Sequence, residues 1–529
     1  MVKRMSPPQV EIPNGCRASA VRLRADLLLF ASRKAASCLI VQLPELVETV
    51  PCHHFIILLN SSRMQVPNER WGAKKPPIEP AKAFVLGFAG VIAIGTMLLS
   101  LPIARENGGI HPMDALFTAA SAVCVTGLAV VDIARTYTTF GEIVTIILIQ
   151  IGGLGYMTAA TAIALLIGRQ VGIRERVLLR EAHGQLSLRG MVWLTRRTLW
   201  FTLILESVGA AILALRFSTL PQFSPGMSLY YGTYHAVSAF CNAGFDLMGK
   251  PFGAFASLTP FSADAVVSLT IAGLIITGGI GFAVVAELSS FRERFRLSLH
   301  SKLVLVTTAG LIILGTLLIL ALEWDNPLTL AKMDTGEKVL VSYFQSVTPR
   351  TAGFSTINIG ELRSVTVSII GTLMFIGASP GGTGGGIKTT TFILIVLAIW
   401  SIVKGKRDTE IFGRRIVTTD VFRALAIAVL AALLVVTATI VLTMSELTTI
   451  QRAGIPEDTF IALGFEVISA FGTVGLSTGI TPLLSPFGRL VIILVMFVGR
   501  VGPLTAIAAL TSRERALKGR LPEEHVTIG

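Results

Sequence analysis

Several uninterrupted runs of about 20 apolar residues constrain this chain more than any other feature of its sequence. Each run is long enough for a helix to cross roughly 30 Å of hydrocarbon. Hydrophobic residues make up 52% of the 529 positions and charged residues 15%, whereas an ordinary soluble domain carries about 25% charged residues. The sequence therefore predicts an all-α integral membrane protein. The clearest runs are 83–101, 143–167, 304–322 and 421–442.

The net charge of +13 could suggest nucleic acid as a partner, but the distribution of the basic residues argues against it. They concentrate in alternate connectors between the apolar runs, at 169–197, 292–302, 404–415 and 513–520. This alternation follows the positive-inside rule for cytoplasmic loops. We therefore expect a multi-pass protein of the cell (plasma or inner) membrane, surrounded by lipid, with both termini in the cytoplasm.

Four short segments, spaced about 110 to 120 residues apart, align without gaps around a glycine. An aromatic residue stands ten positions before each glycine, and a serine stands six or seven positions before it. Four matches at nearly equal spacing indicate an internal repeat. The segments begin Val125-Thr126-Gly127, Asn242-Ala243-Gly244, Thr351-Ala352-Gly353 and Thr473-Val474-Gly475.

The residues around each glycine follow one pattern. A long apolar run comes first, then a polar connector, then about a dozen residues that end at the glycine, and a second apolar run follows. The dozen residues are too few to cross the bilayer, so a re-entrant half-helix fits them better. We expect four repeats of span, re-entrant pore helix, glycine filter loop and span, with pseudo-fourfold symmetry around one pore. The predicted repeats are 81–170, 190–290, 300–403 and 418–512.

The glycines suit a site that conducts cations. A cation that leaves water needs oxygen atoms in place of its hydration shell, and rings of backbone carbonyls supply them. Glycine tolerates the required backbone angles and has no side chain to fill the pore. The half-helix before each glycine directs its partially negative C-terminal end at the site. A single glycine of this kind would more readily indicate a helix break, but four together favour a selectivity filter.

A second set of glycines lies about 25 to 35 residues beyond the first. In the first two repeats, close packing of small residues between membrane helices explains these glycines as well as convergence of four helices below the filter does. The clusters are Gly152-Gly153-Leu154-Gly155, Gly278-Gly279-Ile280-Gly281, Gly381-Gly382-Thr383-Gly384 and Gly499-Arg500-Val501-Gly502.

The third cluster extends into a segment, 377–391, that cannot remain a regular helix. Glycine and proline inside a helix cost about 1 and 3 kcal/mol each, yet apolar runs flank this segment on both sides. We expect an intramembrane gating loop. Its Lys-Thr ending is similar to a phosphate-binding loop, but the spacing differs and no strand precedes it. The gate residues predicted here are Gly381, Gly382, Thr383, Gly384, Gly385, Gly386 and Lys388.

Arg500 replaces the second glycine of the fourth cluster and lies far inside an apolar run that starts near Pro486. Charges within a membrane are costly and usually functional. We expect Arg500 to form an electrostatic barrier that gating must relieve. The alternative is an arginine whose side chain extends to the cytoplasmic face.

The four glycine segments, the GGTGGGIKTTT loop and Arg500 together resemble the Ktr/Trk/HKT superfamily of potassium transporters, and most closely the KtrB-type membrane subunit. The resemblance covers about 82–529. It implies potassium uptake through one pore per chain, in a homodimer, above a cytosolic nucleotide-binding regulatory ring of the KtrA/TrkA type. It also implies stimulation by sodium, no cofactor other than the permeating K+, and filter glycines at Gly127, Gly244, Gly353 and Gly475. Gly127 supports potassium, because members with serine there favour sodium.

Two alternative functions were weighed by the features that each would require. A sodium-coupled or sodium-permeable secondary transporter usually has two inverted halves, and a membrane enzyme needs clustered reactive side chains, which the seven histidines do not provide. We therefore expect no enzyme.

Residues 1–80 are basic and proline-rich without a span, so we expect them to be disordered or untranslated, with a working start at Met64. Residues 513–529 form a predicted cytoplasmic tail.

Overall fold

The computed structural model describes residues 80–106, 111–155, 191–289, 297–406, 408–452, 459–503 and 505. Helices make up most of these residues. The described part of the chain also contains one small hairpin, β1 (Glu410–Ile411) paired antiparallel with β2 (Arg414–Arg415). The predicted, mostly helical architecture is confirmed. The start at Met64 and the tail 513–529 lie outside the described residues.

The described residues contain sixteen α-helices. In chain order they are α1 (Pro80–Leu99), α2 (Pro112–Cys124), α3 (Ile133–Thr136), α4 (Thr139–Leu154), α5 (Met191–Phe217), α6 (Pro225–Phe240), α7 (Gly249–Phe252), α8 (Ala265–Gly279), α9 (Phe282–Ser289), α10 (Leu299–Glu323), α11 (Thr335–Val347), α12 (Ser364–Phe375), α13 (Thr389–Val403), α14 (Thr418–Arg452), α15 (Thr459–Gly472) and α16 (Pro486–Val501).

Among the described residues, three helices are long and apolar enough to cross a membrane: Thr195–Phe217 in α5, the whole of α10, and Thr418–Glu446 in α14. Helices α8 and α9 form a fourth candidate span, with a bend of 101° between them. Shorter apolar helices of 10–17 residues, α2, α4, α12, α13 and α15 among them, accompany these. The chain is thus a multi-pass membrane protein, and the predicted runs 304–322 and 421–442 lie within its spans.

One predicted run is interrupted. The apolar segment 143–167 reads as a single span, but α4 ends at Leu154 because Gly155 caps it with φ +79°. The last glycines of two other clusters act in the same way, since Gly281 (φ +99°) lies at the bend between α8 and α9 and Gly502 (φ +93°) caps α16. Only glycine adopts these backbone angles without strain.

Four of the helices, α2, α6, α11 and α15, are short, and most of their residues are buried. Local sequence explains where they begin. Ser224 accepts a hydrogen bond from the Met227 N–H, and Pro225 occupies the first helical position of α6, a combination typical of helix starts. In α11, the Glu337 carboxylate accepts from the Asp334 N–H at 3.3 Å, as in a capping box. Each of these short buried helices ends at or just before one of the four glycine segments.

The inner glycines hold the following helices close to the short buried helices. A Cβ atom added at the first glycine of three clusters would overlap with a backbone carbonyl near the C-terminal end of a short buried helix. The first glycine of each of these clusters therefore serves close helix packing, the alternative that the sequence left open for the first two repeats. The three pairs are Gly152 with Val123, Gly278 with Phe240, and Gly499 with Phe471.

Candidate functional site

The four glycine segments share one backbone conformation. In each, the first residue has φ between +48° and +72° and the glycine has φ between +68° and +95°, while the residue between them has negative φ. Positive φ is a true outlier for β-branched residues, and Val125, Thr351 and Thr473 adopt it. Such strain costs about 1–3 kcal/mol per residue and concentrates at functional sites.

The short buried helices fix these segments through equivalent backbone hydrogen bonds. In each segment the N–H of the middle residue donates to a carbonyl near the end of the preceding short helix. The third repeat uses the backbone carbonyl of Thr348, four positions before the middle residue, where the others use a serine carbonyl five positions before it. The bonds are Thr126 to Ser121 (2.8 Å), Ala243 to Ser238 (2.8 Å), Ala352 to Thr348 (2.9 Å) and Val474 to Ser469 (2.9 Å).

These middle-residue carbonyls and the glycines form a closed ring, called here the glycine ring. Each glycine lies so close to the carbonyl of the next segment that an added Cβ would overlap with it, and the fourth glycine returns to the first segment. The pairs are Gly127 with Ala243 O, Gly244 with Ala352 O, Gly353 with Val474 O, and Gly475 with Thr126 O. The structure therefore brings all four sequence-predicted glycines together.

A cavity of about 430 Å³ opens directly onto the glycine ring, and all four glycines line it. Among the described residues that line this cavity, the charged ones are Asp132 and Asp246, with no lysine or arginine. Burial raises the pKa of the Asp246 carboxyl to about 7; the bond that it accepts from the Met248 N–H opposes the rise and the Asp132 charge adds to it. The charge of the cavity next to the ring therefore depends on pH, because Asp246 is ionised only above about pH 7.

On another side of the glycine segments, residues 376–388 form a non-helical loop between α12 and α13. The predicted segment ran to Thr391, but helix α13 already begins at Thr389, since a run of Thr and apolar residues without glycine can continue as a helix. Three backbone hydrogen bonds fasten the loop to the bend between α8 and α9. They are Ser379 N to Gly279 O (2.9 Å), Thr383 N to Gly278 O (3.1 Å) and Phe282 N to Gly381 O (3.0 Å).

The loop also contacts the first residues of the glycine segments. The Gly385 N–H donates to Thr473 Oγ1 at 2.9 Å, and a Cβ at Gly384 would overlap with the Thr351 hydroxyl. Lys388 Nζ donates to Gly384 O at 2.6 Å within the loop. The loop therefore packs against the segments that form the ring.

Arg500 reaches the same loop from α16. Its guanidinium donates to the carbonyls of Thr383 and Gly152, and to Gly153 O at 3.3 Å. In this arrangement the Arg500 side chain bridges α4, α16 and loop 376–388.

Sequence analysis missed the side chains that hold the chain just beyond three of the four glycines. His235 Nε2 accepts from the Leu247 N–H at 3.5 Å, Gln345 Nε2 donates to Ser355 Oγ at 3.2 Å, and Glu466 Oε1 accepts from the Thr478 N–H at 3.1 Å. All three are buried in short helices. A polar residue eight or nine positions before the glycine is the signal that could have revealed them.

A multi-pass helical membrane protein in which four strained glycine segments meet inside the helices, beside an acidic cavity, is built as a membrane transport protein. Its family can be stated directly. The chain belongs to the TrkH family of cation transport proteins, which matches residues 87–514. The resemblance seen in the glycine segments, the glycine-rich loop and Arg500 is thereby confirmed.

Named relatives agree with this assignment. The chain is 40% identical over 450 residues to the Ktr system potassium uptake protein B of Bacillus subtilis, covering 85% of this chain and 97% of the relative. It is 37% identical over 455 residues to the potassium/sodium uptake protein NtpJ of Enterococcus hirae, covering 85% and 98%. The crystal structure of the potassium transporter TrkH from Vibrio parahaemolyticus matches with a TM-score of 0.63 at 18% identity, over 94% of this chain and 96% of that one, which shows a shared fold.

Proposed function

We propose that this protein takes up potassium ions through a channel-like pore whose selectivity filter is the glycine ring. The observation that carries the proposal is the closed order of contacts, in which each glycine meets the carbonyl of the next segment. Four carbonyls that converge in this way can replace the hydration shell of a cation. The family assignment to cation transport and the relatives named for potassium uptake support K+ as the ion.

The four segments act, in this proposal, as four repeats with pseudo-fourfold symmetry around the pore. The element order supports it: within the described residues a long helix, a short buried helix, a glycine segment and a further helix occur in turn four times. The short helices α2, α6, α11 and α15 direct their C-terminal ends at the ring, and the partial negative charge there favours a cation. No residue of the pore needs to be acidic for this.

Loop 376–388 is the proposed gate, and Arg500 the barrier that keeps it closed. The loop packs against the glycine segments, and a glycine-rich backbone can move without disrupting a helix. Arg500 places a positive charge against the Thr383 carbonyl of the loop, where it repels a cation that has passed the ring. Opening requires the loop and the guanidinium to move apart.

The setting of the protein is also part of the proposal. The positive-inside distribution of arginine and lysine supports a protein of the cell membrane with both termini in the cytoplasm. By the family resemblance we infer a homodimer that binds a cytosolic nucleotide-binding ring, potassium flux that sodium can activate, and no enzymatic activity.

A sodium-coupled or sodium-permeable transporter is the second candidate, and one observation favours it: the Enterococcus hirae relative is named for uptake of both potassium and sodium. The two functions differ in energetics. The flux through a passive potassium pore reverses at the potassium equilibrium potential. The reversal potential of a coupled carrier also changes when the sodium gradient changes.

Uptake of Rb+, a potassium substitute, into a potassium-transport-deficient host and into vesicles that contain the purified protein tests the function. We expect growth at low potassium, and Rb+ flux that K+ inhibits. Absence of Rb+ flux from a folded, reconstituted protein would contradict the proposal, and a sodium-dependent reversal potential would favour the second candidate.

The filter assignment is tested by Gly127→Ser. The added Cβ overlaps with Ala243 O, and the residue has φ +86°, so the ring must shift and its fit to K+ must suffer. We expect the K+/Na+ flux ratio to fall about tenfold or more. Gly310→Ser is the matched control, because Gly310 lies in α10 with no neighbour near its Cβ position; that ratio should not change. Unchanged ratios in the serine variants of all four ring glycines would overturn the assignment.

A further inference from the structure

The second glycine segment differs from the other three in its first residue. Val125, Thr351 and Thr473 are β-branched, whereas the corresponding residue here is Asn242, which is fully buried with φ +59°. An amide carries both a donor and an acceptor. A buried amide is costly unless its groups are paired, so the partners of this side chain show what it does.

The Asn242 amide joins three parts of the site. Its Nδ2 donates to Arg350 O at 3.1 Å and to Thr351 Oγ1 at 3.1 Å, both at the start of the third glycine segment. Its Oδ1 accepts from the Thr383 hydroxyl of loop 376–388 at 3.2 Å, and the same hydroxyl lies 3.2 Å from a second acceptor, Phe240 O. Arg350 O can only accept, so the orientation of the amide is fixed by chemistry.

The geometry leaves little room for another residue. A Cβ at Gly278 would lie 3.0 Å from Asn242 Oδ1, and a Cβ at Gly279 would lie 3.3 Å from Asn242 Nδ2. These glycines belong to the bend at the end of α8, to which the loop itself is bonded. The amide is therefore enclosed between the loop, the bend and the start of the third glycine segment.

We infer that Asn242 is a positioning residue that links the gate to the filter, so that ion selectivity depends on where loop 376–388 lies. The inference rests on the proposed function. When the loop moves away, Thr383 no longer donates to Oδ1. The amide is then held only through Nδ2, and the backbone at Arg350 and Thr351 that it supports is free to shift. The ring carbonyl of Ala352 follows directly, so the filter fits K+ less well with the loop displaced.

The test compares basal Rb+ flux and the Rb+/Na+ flux ratio of the reconstituted full chain with those of Asn242→Ala, Thr383→Val and the double variant. A typical hydrogen bond contributes enough to change an equilibrium about two- to tenfold. We expect each single variant to raise basal Rb+ flux and lower the ratio by about this factor. Because both remove the same link, the double variant should resemble the stronger single variant.

Two matched variants separate the link from general loosening. Thr383→Ser keeps the hydroxyl and should retain the parent ratio. Ser238→Ala removes a hydroxyl that holds the same glycine segment through Phe245 O at 2.7 Å, at a residue that lines the cavity and not at the residue that bonds to the loop. When Ser238→Ala is combined with Thr383→Val, the change in the Rb+/Na+ flux ratio should equal the product of the changes in the two single variants.

The inference is overturned if the change in the Rb+/Na+ flux ratio of the double variant equals the product of the changes in Asn242→Ala and Thr383→Val. It is also overturned if Rb+ flux changes in these variants while the Rb+/Na+ ratio stays constant. If Asn242→Ala does not fold, the comparison of Thr383→Val with Thr383→Ser decides. A lower Rb+/Na+ ratio in Thr383→Val but not in Thr383→Ser supports the link, and equal ratios in the two variants refute it. Rb+ uptake by the parent is measured first. Its absence contradicts the proposed function, whereas unaltered variants of an active parent contradict only the link.

Discussion

Individual side chains set the charge in the neighbourhood of the glycine ring. Arg500 is the one positive side chain that bridges loop 376–388 and α4 among the described contacts, and Asp246 lies in the cavity on the other side. Opposite charges at these two places would attract a cation to the ring and oppose its further passage. Neither residue belongs to the ring itself.

Replacing Arg500 by alanine should raise basal Rb+ flux about tenfold or more, because the cationic barrier is lost together with bonds that hold the loop. Reconstituted vesicles measure this directly. Arg414→Ala is the control, since Arg414 lies in the exposed hairpin and should leave flux unchanged. Equal effects of the two substitutions would argue against a barrier and for an arginine that serves only packing.

Asp246→Asn should weaken uptake at low external K+ and remove part of its pH dependence. With its pKa raised to about 7, Asp246 carries its charge above that pH and loses it below. Uptake by the parent should therefore rise between pH 6 and pH 8, while uptake by the variant stays lower and flatter. The asparagine retains a side-chain oxygen, so it can still accept the hydrogen bond that Asp246 accepts from the Met248 N–H at 2.9 Å.

Asp420→Asn is the comparison for this experiment, because Asp420 is an exposed carboxylate at the start of α14. Its uptake curve should follow that of the parent at each pH. A parent whose uptake does not change across this interval would refute the role given to Asp246.

At the scale of elements, loop 376–388 is held by the bend between α8 and α9 and by the glycine segments, so its removal should open the path. Deleting residues 380–385 removes Thr383 and the partner carbonyl of Lys388, and basal flux should increase at least severalfold. The matched deletion is 410–415, also six residues, which removes the exposed hairpin and should leave basal flux unchanged. A folded 380–385 deletion that conducts less than the parent would show that the loop supports the pore.

At the scale of the whole molecule, one ion pair joins the first short buried helix to the last helix. Arg489 of α16 contacts Asp114 of α2, residues 375 positions apart, and their side chains are only 19% and 16% exposed. Arg489 also donates to Leu484 O at 2.8 Å and to Pro482 O at 3.1 Å. The pair therefore connects the short buried helix before the first glycine segment to the helix that follows the fourth.

Asp114→Ala should lower the free energy of unfolding by about 2 kcal/mol, because a mostly buried arginine loses its charged partner. The midpoint of thermal unfolding in detergent measures the loss. Glu410→Ala provides the contrast: its pair with Lys406 is more than half exposed, and such pairs contribute about 0–1 kcal/mol. Similar losses in both variants would mean that the Asp114 pair has no special role in closing the ring.

The sequence by itself determined the features that depend on local chemistry. Apolar runs of membrane length predict the spans, and capping residues such as Ser224 with Pro225 mark helix starts. The ring glycines could be found because positive φ and the absence of a side chain are requirements of a single residue. The composition of 377–391 predicted the non-helical loop, although its end was set three residues too far, since threonine can either end or begin a helix.

Only the tertiary structure decided which distant groups meet. The Asn242 amide bonds to residues 108, 109 and 141 positions away, and Arg500 reaches Gly152 across 348 positions. Nothing local in the sequence selects such partners, because the same asparagine or arginine could pair with many carbonyls. They are selected when the helices pack, because each polar group inside the membrane must form its hydrogen bonds within the protein. This packing brings four similar segments into one ring and bonds one loop to the second and fourth of them.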